Sequence, residues 1–103
     1  MFETIYVSRH AKDRAQEVWP CIGVRGIRRM LPESFEVDRG LAASFLGRRL
    51  EDVADIYRVA PDLTGLFVIV RGDWRGPVLV TFIRFGPEQR RVAAGLWPER
   101  VAA

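Results

Sequence analysis

Ser8-Arg9-His10-Ala11-Lys12-Asp13-Arg14 is the stretch of this sequence whose residue types and spacing suit chemistry. His10 and Arg14 stand four residues apart, so on a helix they share one face. An imidazole exchanges a proton near neutral pH. A guanidinium one turn away holds a phosphate and stabilises charge that develops on it. Together they are a minimal set for RNA cleavage without metal, in which a 2′-hydroxyl attacks the neighbouring phosphate. The plain alternative is an exposed His and a solvated Arg beside an apolar stripe, and spacing alone leaves both open. The chain has no P-loop, no Gly-x-Gly-x-x-Gly, no His-Glu-x-x-His and no Gly-x-Ser-x-Gly. Arg71-Gly-Asp73 matches an integrin-binding tripeptide, a match short enough to recur by chance. A single His and no close carboxylate cluster leave too few metal ligands, so neither metal nor cofactor is expected. Cys21 is the lone cysteine and has no partner for an internal disulfide. Beside Pro20, with no His nearby to activate it, it reads as a small buried apolar residue.

The elements that must position these groups can be read from pattern. Residues 2–7, rich in β-formers, read as a first strand. Ser8 is placed to cap a helix over residues 9–19, closed by Pro20. On it Ala11, Ala15 and Val18 form an apolar stripe, with His10, Arg14 and Glu17 as a polar ridge beside it. Gly23 and Gly26 interrupt residues 22–31, leaving one short helical turn there. Residues 35–37 read as a brief strand and 41–53 as a helix weakened by Gly47. Residues 54–59 alternate, 61–65 make a hairpin-length turn, and 66–70 form a continuous apolar run suited to a strand buried on both faces. A turn at 71–76 leads to a strand over 78–85, and Pro87 opens a short last helix. The expected fold class is α+β: an N-terminal strand and helices packed on an antiparallel β meander.

Composition agrees with a single domain over residues 1–103. The chain has 103 residues, 49% of them apolar, enough to bury roughly 65% of its unfolded surface around one core. No apolar run approaches the ~20 residues that span a bilayer. The N-terminal residues lack a basic leader and a cleavage site, so the expectation is a cytoplasmic protein without membrane contact. Of sixteen basic residues only Lys12 is Lys. Residues 1–30 and 66–103 each carry six bases and three acids, whereas 31–65 carry four and seven. If the two basic ends meet in the fold, they make a face for an anionic partner. The Arg bias is equally what a GC-rich or heat-adapted genome produces.

His-Ala-x-x-Arg on the first helix, directly after a strand, resembles a family of small bacterial domains that open with this motif and end in an antiparallel meander. That family is grouped with the barnase, EndoU, colicin and RelE class of ribonuclease folds, which includes many toxins of toxin–antitoxin pairs. The match comprises His10, Ala11 and Arg14, the strand over 66–70, and the strand over 78–85 with Thr81 where the family often has a hydroxyl residue. Residues 21–52 match nothing in it, and for the family's second Arg after the helix Arg25 is the nearest residue. The resemblance implies a RelE-like fold and a metal-independent ribonuclease. His10 would be general base or acid, Arg14 the phosphate clamp, and Thr81 a hydrogen bond to the phosphate or to His10. It also implies RNA as partner, with an acidic antitoxin or other protein covering the basic face.

Placement at strand ends adds Arg71 and Arg84 as further cations, and Lys12 adds charge on the first helix; each also reads as a solvated surface residue. Trp74, between Asp73 and Arg75 in a turn, is placed to stack on a base or to fold back on the core. Tyr57 is a candidate second acid. The competing function is a non-catalytic binding or inhibitory protein on the same fold. An enzyme should gather at least two proton-transfer or phosphate groups in one cleft around His10; a binder needs only the surface.

Overall fold

The order along the chain is Tyr6–Val7 (β1), Arg9–Gln16 (α1), Val24–Met30 (α2), Phe35–Val37 (β2), Arg39–Leu46 (α3), Ile56–Val59 (β3), Gly65–Val70 (β4), Val78–Arg84 (β5) and Pro87–Leu96 (α4). The computed structural model describes residue 2 and residues 4–46, 56–72 and 76–100. The part of the expected helix over 47–53, the first residues of the strand expected from 54, and Trp74 lie outside the described residues. The fold is α+β, a five-stranded sheet in the order β1-β5-β4-β3-β2 with helices against it. From β2 to β5 every pairing is antiparallel. The antiparallel meander expected from sequence is β3, β4 and β5, and the N-terminal strand joins it at one edge. There β1 runs parallel to β5, with Tyr6 opposite Val78 and Val7 opposite Leu79. Parallel neighbours need a long connection, and here everything from α1 to β4 intervenes.

Side chains alternate along β4 and build a core on each face. Phe67 and Ile69 pack with Ala11 and Ala15 of α1, Ile27 of α2, Leu79 and Phe82. Leu66 packs oppositely, with Ala42 and Phe45 of α3, Phe85 and Ala93 of α4. Residues 66–70 are apolar throughout because both faces of a central strand are covered.

Strand β5 is bulged near its start and crowds β4 at its end. Val68 pairs with Thr81 and Ile69 with Leu79, so Val80 is an extra, bulged residue. At the other end, Gly65 opposite Arg84 leaves no room for a side chain: a Cβ there would collide with the Phe82 ring and lie 2.6 Å from the Ile83 carbonyl oxygen. No described helix is long and apolar enough to cross a membrane.

Candidate nucleic-acid cleft

Ser8 couples α1 to the sheet. Its hydroxyl accepts the Ala11 N–H at 3.0 Å, as an N-cap does, and donates to the Val80 carbonyl at 3.1 Å. Its own N–H donates to the Leu79 carbonyl. The helix start is thereby tied to the bulge of β5 by one side chain. Ala11 and Ala15, both fully buried, let α1 approach closely, and the ridge one position away runs beside β5. Ser8→Ala is expected to lower stability by about 1–2 kcal/mol, seen as a Tm drop of roughly 4–8 °C per kcal/mol. An unchanged Tm would mean that the cap does not seat the helix.

His10 and Arg14 of α1, Glu17 at its C-terminal cap, and residues 81–84 of β5 line one open hollow of about 450 Å³. Glu17 and Arg84 also line a second hollow of about 490 Å³, which reaches Val18, Pro87 and Arg90 at the start of α4. The two form one cleft along the outer side of β5. Because β1 pairs only with Val78 and Leu79, no described strand covers that edge beyond them. The Gly65 carbonyl accepts the Ala60 N–H on the β3 side, so Gly65 and Arg84 do not bond to each other across the β4–β5 ladder. Alternation then turns the N–H groups of Phe82 and Arg84 outward. Phe82 is 2% exposed and its ring is packed inward, so what it offers the cleft is main chain.

Of the residues singled out in the sequence, His10, Arg14, Thr81 and Arg84 come together here. The basic ends of the chain therefore do meet, Arg14 from one and Arg84 and Arg90 from the other. Thr81 is opposite Val68, which packs on the α3 and α4 side, so the register sends its side chain away from α1. No hydrogen bond joins it to His10 among the described residues. Lys12, two positions after His10, projects from another side of α1 and is not among the residues lining the cleft. Arg71 follows the Val70–Val78 pair, at the opposite end of β5 from Arg84. Tyr57 is buried in the core on the face away from α1, which removes it as a second acid. Cys21 is exposed rather than buried, because α1 ends at Gln16 and the chain turns outward after Trp19. Sequence reasoning missed two residues: Glu17, seen only as part of the ridge, and Arg90, one turn into the last helix.

The electrostatics are those of accessible cations. Arg14 Nη1 lies 3.3 Å from Glu17 Oε2, an exposed pair worth little to stability and readily exchanged for a phosphate. His10, Arg84 and Arg90 make no side-chain hydrogen bond or ion pair among the described residues. The perturbed guanidinium is elsewhere: Arg58 donates to Ser34 Oγ and to the Ser34 carbonyl, both at 2.6 Å, and lies over the Phe2 ring. Burial pushes its pKa down and Glu36 pulls it back up. Arg58 anchors the N-terminal segment and takes no part in the cleft. Among the described residues no three His, Cys, Asp or Glu side chains converge as metal ligands. No protein-family model matches the chain, and no curated protein or solved structure is significantly similar to it.

Proposed function

We propose that this protein is a RelE- or colicin-like, metal-independent endoribonuclease domain that holds single-stranded RNA in the cleft between α1 and β5. The observation that carries this reading is the order of His10, Arg14 and Glu17 along one helix face, with Arg84 opposite in the same hollow. A phosphate seated on Arg14 then has a proton-transfer group on either side. The two lie seven residues apart, about 10 Å along the helix axis, and both line the hollow that holds Arg14. In-line displacement at phosphorus needs this disposition, because the attacking and leaving oxygens stand on opposite sides.

The Glu17 carboxylate takes the proton from the 2′-hydroxyl, and the 2′-oxygen forms its bond to phosphorus. The bond from phosphorus to the 5′-oxygen breaks, and the imidazolium of His10 delivers a proton to that oxygen. Arg14 and Arg84 stabilise the charge on the non-bridging oxygens, beside the outward N–H groups of Phe82 and Arg84. The products are a 2′,3′-cyclic phosphate and a 5′-hydroxyl, and exchange with water resets both catalytic groups. The strand, capped helix and meander in this order, with His-Ala-x-x-Arg at the helix start, support the resemblance to the ribonuclease fold group. As the toxin of a toxin–antitoxin pair in the cytoplasm, the protein would be silenced by an acidic partner covering the same cations.

Incubating the purified protein with single-stranded RNA in a chelator tests the reading. Fragments ending in 2′,3′-cyclic phosphate are expected. Intact RNA after incubation with folded wild-type protein overturns catalysis, and if the RNA is bound but uncut, the non-catalytic binding protein on the same fold takes its place.

A further inference from the structure

The second hollow reaches beyond the cleavage site to Val18, Pro87 and Arg90, which cleavage at Arg14 does not use. Arg84 stands at its junction with the first hollow and Arg90 lines it from α4. Neither guanidinium has an ionic or hydrogen-bonding partner among the described residues. Unpaired cations in a shared concavity attract anions and lower the dissociation of what they hold. Val18 and Pro87 add apolar surface to the same hollow, and Glu17 lines it from the end of α1. An anionic group beside a flat apolar one is the chemistry of a nucleotide; an acidic peptide offers only the first.

We infer that this hollow is a second nucleotide subsite, in which Arg90 holds the phosphate adjacent to the one on Arg14, with Arg84 at the junction between the two. The inference rests on the cleft being an RNA site and adds that the substrate is a single strand of several nucleotides. The shared residues make the two hollows continuous, so a strand occupies both without leaving the surface. A dinucleotide fills only the first, and a hexanucleotide engages both. Arg90 is exposed on α4, so its replacement does not disturb packing.

The test uses fluorescein-labelled di- and hexadeoxythymidylate, which lack the 2′-hydroxyl and survive in the cleft, with binding read by anisotropy. Wild-type protein is expected to bind the hexamer at least tenfold more tightly than the dimer. Arg90→Ala should weaken hexamer binding about five- to tenfold, Arg90→Glu more, with circular dichroism unchanged. Losing one phosphate contact should also flatten the salt dependence of hexamer binding by about 0.7 in log–log slope. Hexamer binding that ignores both length and Arg90 overturns the subsite, and RNA cleavage by the same protein would leave the reading of the first hollow standing. Binding that depends on length and Arg90 while RNA stays intact supports the subsite and overturns only cleavage. A hexaglutamate peptide that displaces the hexamer at equal affinity, with the same dependence on Arg90, overturns the nucleotide assignment. So does the absence of any hexamer binding.

Discussion

His10→Ala is expected to slow RNA cleavage by roughly 10²–10⁴-fold, the range for removal of one positioned proton-transfer group, with the Tm shifted by less than about 1 °C. Both halves follow from where the residue sits. His10 is exposed on α1, contributes nothing to either core, and makes no hydrogen bond among the described residues. Its truncation therefore removes a group from the cleft and leaves the helix on its Ala11 and Ala15 seat. Glu17→Gln should cost a similar factor, because the 2′-hydroxyl then loses its base. The double variant should fall little below either single one, as residues that act as one unit are not additive. Arg14→Ala is expected to raise KM as well as lower kcat, because the ground-state phosphate also rests on it. Cleavage by His10→Ala within threefold of wild type would remove His10 from the chemistry, whatever the other variants do.

Much of the scaffold was legible because it depends on local pattern. Ser8 as a cap, β2 over residues 35–37, the apolar run of β4 and Pro87 at the start of α4 are written in a few adjacent residues. Boundaries failed where tertiary contacts decide them. The helix expected to reach residue 19 ends at Gln16, and Trp19 instead folds against Phe67 and Phe82 and donates its indole N–H to Asp62. Of the first strand, expected over residues 2–7, the described residues that pair are Tyr6 and Val7, because Phe2 and Ile5 enter the core instead. Two glycines hid α2, yet Gly26 faces Ile22 so closely that a Cβ would meet its Cγ1 at 2.9 Å. The cleft divides in the same way. His10 and Arg14 are four apart on one helix and can be paired on paper. Arg84 and Arg90 join them only because β1 lies beside β5, a pairing across some seventy residues that no local signal announces.

Phe67→Ala is the substitution expected to do the most damage to the fold, and through it to the cleft. Phe67 is fully buried at the middle of the central strand. Its ring centroid lies 4.9 Å from that of Phe82 and 6.3 Å from that of Trp19, and Trp19 and Phe82 are 5.1 Å apart, so three rings close on one another. Truncating a core Phe costs about 3–5 kcal/mol, against a total of about 5–15 kcal/mol for a domain of this kind. The midpoint of urea unfolding should fall steeply at a nearly unchanged m-value, with a Tm lower by well over 10 °C. The same ring cluster packs with Ala11 and Ala15, the seat of α1. Activity in Phe67→Ala should therefore be lost on warming, in step with unfolding, whereas in His10→Ala it is absent at every temperature at which the protein is folded. A loss of stability under about 1 kcal/mol would show that the cluster relaxes around the cavity and that α1 is held chiefly by Ser8 and the β5 bulge.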